Sequence, residues 1–273
     1  MALSILNNIS SLVAENQLNS TQNNLQKTLF QLASGSRINS GADDAAGLAI
    51  ADGLHANITA LTQAQRNAND GIGQMQVTDG ALSQVTSLLN RAVTLATESA
   101  TGTVNSTQRQ ALDAEFSAIK DEINRIGSTT TFNGTSVFSG NTTSVFLSDS
   151  AVSSSITVSV GALAIGTIGS ADLSHDLTTA TNAQSALSDV NGAIAQVAAM
   201  RGTVGAAINR LQAASNVMAN QVQNLSSAED GIRAADVAQD VASMSKYNIL
   251  TQTGMAALSQ ANSSQQAVLG LLR

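Results

Sequence analysis

The chain has 273 residues and a formal net charge of −7, with 43% hydrophobic residues but only 2% aromatic ones. Excess negative charge excludes nucleic acid and anionic membrane surfaces as natural partners, and no apolar run approaches the roughly 20 residues of a membrane span. Trp, Pro and Cys are absent and the apolar bulk comes mainly from Ala, Leu, Val and Ile. That suits long slim helices packed side by side better than a thick layered core.

The opening stretch MALSILNNISSLVAEN has no basic flank and is interrupted by Asn7 and Asn8, so it does not read as a conventional signal peptide. Ile5, Ile9 and Leu12 form one apolar strip, and Leu18, Leu25, Leu29 and Leu32 form another, rotated around the same helix. A helix apolar on two sides needs more than one neighbour. Residues 32–52, LASGSRINSGADDAAGLAIAD, then read as a joint. Gly35 and Gly41 release the chain from the first helix, Arg37 and Asn39 lie within the turn, and Asp43 and Asp44 start the next helix, where its dipole favours them. Ala45, Ala46, Gly47, Ala49 and Ala51 keep the first turns slim enough for close packing. The stretch fits neither the phosphate-loop nor the dinucleotide fingerprint, both of which need a preceding strand.

A second helix follows, with a stripe from Leu54 through Leu61, Ile72, Met75, Leu82 and Leu89 to Ala96 at a mean step of about 3.5 residues, the left-handed coiled-coil period. Gln65, Asp79 and Thr86 interrupt that stripe, and Gly71 and Gly73 lie inside it. The third helix carries Leu112, Phe116, Ile119, Ile123 and Ile126, with Thr107 and Gln110 as its capping pair and Gly127 as its stop. The vocabulary then changes: Asn133-Gly134 and Gly140-Asn141 signal turns, and Ile156, Val158 and Val160 alternate with Thr157 and Ser159. These predict a hairpin or three-stranded patch over about 135–165. The fourth helix, capped by Thr181 and Gln184, runs Val190, Ile194, Val197, Val204, Ile208, Leu211, Met218, broken by Arg201 and Ser215. A last helical stripe includes Val237, Val241, Met244, Tyr247, Leu250, Gly254, Leu258, Val268 and Leu272.

The predicted fold class is therefore mainly α: a long antiparallel bundle with a small β region, and with the N- and C-terminal helices paired. Such a pair leaves apolar strips wet, which points to further copies of the chain. Ile5, Ile9, Leu12, Leu25, Leu29, Leu250, Leu258, Val268 and Leu272 are the expected assembly contacts. His55 and His175 have no metal-ligand spacing around them, and no nucleophile elbow or thiol is present. No catalytic, cofactor or metal site is expected, and the chain does not read as an enzyme.

SGSRINSGADDAAGLAIAD after the first helix, NANDGIGQMQVTDGAL at 67–82, FNGTSVF at the sheet and ANSSQQAVLGLLR at the end together resemble the bacterial flagellins. The resemblance covers essentially the whole chain. It implies an inner-core domain from residues 1–43 and 234–273, an outer core from 44–233, and little inserted surface domain. It implies self-assembly into a helical filament for motility, and an extracellular location reached through the flagellar export apparatus without a cleaved signal. Partners implied are an export chaperone on the C-terminal segment and the filament cap and junction proteins. Arg91, Leu95 and Glu122 match the positions through which a host Toll-like receptor senses some flagellins. The sequence departs from the family pattern at Ser264, Asp230-Gly231 and Ala234. Alternatives in view are a hook–filament junction protein and a surface adhesion or polysaccharide-binding protein on the same fold.

Overall fold

The computed structural model describes residues 8–140, 142–148, 155–164 and 175–270. Five helices account for most of the chain: α1 Ile9–Ser34, α2 Ala45–Ala100, α3 Ser106–Thr129, α4 Ala180–Arg233 and α5 Val237–Gly270. They belong to two compact units, Met1–Ala56 with Asn224–Arg273, and Asn57–Gln223.

In the first unit α1 and α5 run antiparallel. Asn8 caps α1 by accepting from the Ser11 amide at 3.0 Å, and its own amide donates to the Ala261 carbonyl at 3.2 Å. The covered face of α1 is Ala14, Leu18, Thr21, Leu25, Thr28 and Leu32, and that of α5 includes Met244, Tyr247, Thr251, Gly254 and Leu258. Leu29 and Leu250, both expected as assembly contacts, turn outward, and threonines hold seam positions beside the covered leucines. Thr21, Thr28 and Thr251 can do so because each hydroxyl donates to the carbonyl four residues earlier, at 2.8, 3.0 and 2.8 Å. What remains of the side chain facing the partner is then small and largely apolar. Gly254 faces Leu18 closely: a Cβ there would stand 3.3 Å from Leu18 Cδ1.

The second unit is the bundle. Leu82, Leu89 and Leu95 of α2, Phe116 and Ile123 of α3, and Val190, Val197 and Val204 of α4 share one buried core. The helix caps fall two residues earlier than the sequence suggests. Asn105 and Gln108 form the capping box of α3, with bonds of 2.9 and 3.0 Å, and the Thr179 hydroxyl accepts from the Asn182 amide at 3.2 Å to start α4. Gly127 does not stop α3, which continues to Thr129. Its missing side chain instead makes room for the Leu163 carbonyl oxygen, which any Cβ would overlap.

The β region is two separate antiparallel pairs rather than one patch. β1 (Thr131–Phe132) and β2 (Thr135–Ser136) begin before the expected boundary and close around Asn133-Gly134. Both turn residues have positive φ, 50° and 76°, as the tight hairpin turn that suits strand twist requires. β3 (Thr142–Phe146) pairs with β4 (Ser155–Ser159), from Thr142 opposite Ser159 to Phe146 opposite Ser155. Val145 and Val158 point inward, and a Cβ at Gly71 of α2 would come within 2.8 Å of Val145 Cγ2. Gly71 costs helix propensity and returns close packing.

Candidate functional site: the double joint and the terminal helix faces

Two breaks in the chain meet in the first unit. Gly35 ends α1 in the left-handed conformation (φ 67°), which a residue without Cβ adopts freely. α4 ends at Arg233, and α5 begins after Asp236, whose carboxylate accepts from the Ala238 and Gln239 amides at 3.0 and 3.1 Å. Between them lies a short antiparallel bridge, Ser36 opposite Ala234. The Arg37 amide donates to the Arg233 carbonyl at 2.7 Å, and the Ala235 amide donates to the Gly35 carbonyl at 3.1 Å.

The last carbonyls of a helix have no partner within it. Here the other joint supplies them. The Arg37 guanidinium donates to the Ile232 carbonyl at 2.9 Å, and the Ser36 hydroxyl lies 3.1 Å from the Arg233 carbonyl. A cation at a helix C-terminus is also favoured by the macrodipole.

Asp43 organises the rest of the first joint. One carboxylate oxygen accepts from the Asn39 amide at 3.3 Å and from the Ser40 amide and hydroxyl at 3.1 Å each; the other pairs with Lys27 at 2.7 Å. The Lys27 hydrogen bond first, and the Asn39 amide second, hold its pKa down at about 2. Asp44 is the true cap of α2, accepting from the Gly47 amide at 2.8 Å. Asn39 ties back to the Ser36 carbonyl at 2.7 Å. Thus the structure brings Gly35, Arg37, Asn39, Asp43 and Asp44 together as one hydrogen-bonded turn. Sequence reasoning missed Ile38, which is buried beneath that turn; a Cβ on Gly47 would come within 2.9 Å of its Cδ1. The signal was available, since Ile38 is the single large apolar residue in a run of polar and small ones. Of the small residues expected to pack closely, Gly47 and Ala51 do, whereas Ala45, Ala46 and Ala49 are exposed.

The expected assembly residues divide three ways. Ile9, Leu12, Leu29 and Leu250 are exposed; Leu25 and Leu258 are half-buried in the α1–α5 pair. Ile5, Leu272 and the side chain of Val268 lie outside the described residues. Sequence reasoning passed over Val13, Phe30 and Ile249, which are 63%, 63% and 61% exposed. The expected receptor positions also separate. Arg91 makes a two-pronged pair with Glu115 at 2.7 and 3.0 Å, and Glu122 pairs with Arg125 at 2.6 Å, all at the surface. The arginine hydrogen bonds hold both carboxyls below their ordinary pKa. Leu95, in contrast, is 0% exposed. Its expected role as a surface contact is corrected to that of a core residue. His55 faces Glu229 at 3.4 Å and His175 faces Asp189 at 2.7 Å. Among the described residues no three His, Cys, Asp or Glu side chains gather as a metal site would require, and no helix is long and apolar enough to cross a membrane.

Residues 5–143 match the bacterial flagellin N-terminal helical region, and residues 187–272 match the bacterial flagellin C-terminal helical region. The chain belongs to the bacterial flagellin family. It is 37% identical over 270 residues to a flagellin of Halalkalibacterium halodurans, spanning 98% of this chain and 99% of that one. It is 33% identical over 282 residues to the flagellar filament 30.7 kDa core protein of Treponema maltophilum, again spanning 98% and 99%. The crystal structure of Bacillus cereus flagellin resembles it with a TM-score of 0.51 at 30% identity, over 60% of this chain and 94% of that one. No large surface domain separates the two matched regions. Flagellins are structural subunits of the flagellar filament, an extracellular assembly, and this one carries their helical core with little added.

Proposed function

We propose that residues 1–43 and 234–273 build the inner core of the filament and residues 44–233 its outer core, with the outward faces of α1 and α5 covered by neighbouring copies of the chain. The observation that carries this reading is the exposure of Ile9, Leu12, Ile249 and Leu250 on helices that have only each other as partner in the terminal pair. Covering each such side chain stabilises by roughly 1.5–3 kcal/mol, and a head-to-tail contact that does not close repeats that gain along a helical filament. Ile5, Val268 and Leu272 extend the same faces in sequence. The chain is a scaffold rather than a catalyst. It travels through the flagellar export apparatus, escorted by a chaperone on its C-terminal segment, and it meets cap and junction proteins at the filament ends. Arg91 and Glu122 supply the accessible part of a Toll-like receptor surface.

Seeded growth followed by electron microscopy tests the central claim. Wild-type subunits should extend short filament fragments into long tubes, while Val268→Ser with Leu272→Ser should abolish growth and leave melting of the bundle unchanged. Normal extension by the double variant overturns the inner-core assignment. A wild-type chain that stops after capping the seeds is a junction protein, and one that never joins them is a surface binder.

A further inference from the structure

We infer that Asn133, at the tip of the β1–β2 hairpin, is a site of spontaneous deamidation by water, and that its isoaspartyl product unlocks the hairpin. Asn-Gly occurs twice in the chain, at Asn133-Gly134 and at Asn191-Gly192. Both asparagines are exposed, so solvent access does not separate them. Backbone conformation does. Asn191 lies inside α4, where the helical ladder commits the following amide to a carbonyl four residues back. Asn133 and Gly134 are the two turn residues between the flanking pair Phe132 and Thr135, so the Gly134 amide lies outside the ladder. Among the described residues Asn133 is also the one residue other than glycine with positive φ, a region that is unfavourable for a residue with a side chain.

The reaction begins when the Gly134 nitrogen reaches the Asn133 side chain. That nitrogen loses its proton to solvent base and bonds to Cγ, the Cγ–Nδ2 bond breaks, and ammonia leaves behind a five-membered imide. Glycine has no Cβ to crowd the approach, and the space is open: a Cβ on Gly134 would meet nothing within 4 Å. Water then opens the imide. Breaking the bond from nitrogen to Cγ yields aspartate; breaking the bond from nitrogen to the backbone carbonyl carbon yields isoaspartate. Neither route oxidises or reduces anything, and both add one negative charge. The attack takes place while the turn is loosened. Its strands are two residues each, fastened further by the Val137 amide donating to the Thr130 carbonyl at 3.2 Å. So short a pair opens far more readily than the interior of a long helix.

The two products differ in what they do to the hairpin. Aspartate tolerates the left-handed region as asparagine does, so the hairpin stays closed. Isoaspartate carries the chain through Cβ and Cγ, which lengthens the backbone of the turn by one methylene. Loop length sets hairpin register, so the pairing of Thr131 with Ser136 and of Phe132 with Thr135 is lost. The Phe132 ring then leaves Gly73, where its Cε2 stands 3.8 Å from the position of an added Cβ.

Aged full-length protein tests both halves. When the folded chain is held in mildly alkaline buffer and its peptides are mapped by mass spectrometry, Asn133 should convert at least about tenfold faster than Asn191, because a fraying turn opens so much more often than a helix interior. In denaturant the two dipeptides should convert at similar rates. A protein-isoaspartate methyltransferase with a labelled methyl donor should mark the peptide containing residue 133, and should mark nothing there in Asn133→Gly. Equal rates for Asn133 and Asn191 in the folded chain overturn the site. Ion exchange isolates the deamidated fraction by its added charge. In that fraction the methyl-labelled share should lose hydrogen-exchange protection at the Val137 amide, while Asn133→Asp keeps it. Repeated turnover by the methyltransferase, whose ester collapses back to the imide, should convert isoaspartate to aspartate and restore the protection. A deamidated fraction rich in isoaspartate but protected like Asn133→Asp overturns the unlocking.

Discussion

The terminal pair and the bundle are both antiparallel helices with stripes at the coiled-coil period, yet they are packed on opposite principles. The bundle fills its interior with Leu, Ile, Val and Phe116, and many of these reach complete burial. The terminal pair sets Ala14, Thr21, Thr28, Thr251 and Gly254 among the half-buried Leu18, Leu25, Leu32, Met244, Tyr247 and Leu258 at its seam. It leaves other large residues, Val13, Phe30, Ile249 and Met255 among them, outward. A seam of small residues gives rigidity of spacing without much hydrophobic stabilisation, whereas an outward face of large residues is stabilising only when something covers it. One region is covered within the single chain; the other leaves large apolar side chains uncovered.

The sharpest way to break that contrast is to make the same substitution in both regions. Leu211→Ala removes a completely buried side chain of the bundle and should cost about 2–5 kcal/mol, read as a large fall in the bundle melting temperature. Leu25→Ala, in the half-wet seam, should cost the free subunit less than about 1 kcal/mol and leave that temperature unmoved. Equal effects would mean that the terminal pair is as well packed as the bundle. Next in size is Gly127→Ala. Helix propensity alone would favour Ala by about 1 kcal/mol, but the Leu163 carbonyl occupies the space a Cβ needs. Net destabilisation of about 1–3 kcal/mol is expected, again by thermal melting of the bundle; a stabilised protein would show that the loop after β4 moves away at little cost.

The bundle half of this contrast was largely legible in the sequence, because aliphatic residues at steps of three and four announce a helix face wherever they are dense. What the sequence hid was any partnership across distance. Arg201 and Asp79 read as two separate flaws in two stripes, yet they form one ion pair at 2.8 Å across 122 residues. Caps were displaced by two residues because several Asn, Thr and Gln side chains stand in a row at each helix start, and only geometry selects which oxygen reaches the right amide. The threonines of the terminal seam were hidden for a more basic reason. Threonine bonded back to its own helix behaves as a small apolar residue, which a scan for Leu, Ile and Val cannot register. The joint was legible as a joint from its glycines and aspartates, but the Arg37 contact with the end of α4 joins residues 195 apart.

A smaller effect sharpens the contrast from the other side. Thr21→Val with Thr28→Val keeps the branched shape of the seam and replaces two hydroxyls, each bonded within its own helix, by methyl groups. Each added buried methyl should strengthen the pair by up to about 0.8 kcal/mol. The free subunit should gain helical circular-dichroism signal and proteolytic resistance in α1 and α5, with no change in the bundle. Unchanged resistance would mean that seam composition does not limit the pairing.

The smallest effect lies in acid, at Asp43. Its pKa is held at about 2 in the folded joint, whereas an unstructured Asp titrates near 3.9. Because the folded value is the lower one, the carboxylate favours the folded joint at any pH above about 4, and that contribution is lost as pH falls from there through about 2. Over this window the Ser40 and Asn39 amides should lose protection in hydrogen exchange, with the carboxyl carbon of Asp43 titrating in step by nuclear magnetic resonance. Asp43→Asn should show the reduced protection already at neutral pH and little further change at these two amides. Salt separates the causes. The Lys27 partner is half-exposed, so high ionic strength should raise the midpoint toward the ordinary value through the Lys27 share alone, leaving the depression due to the Asn39 and Ser40 hydrogen bonds in place. A midpoint that returns fully to the ordinary range in salt would assign the whole depression to Lys27 and none of it to the Asn39 and Ser40 hydrogen bonds.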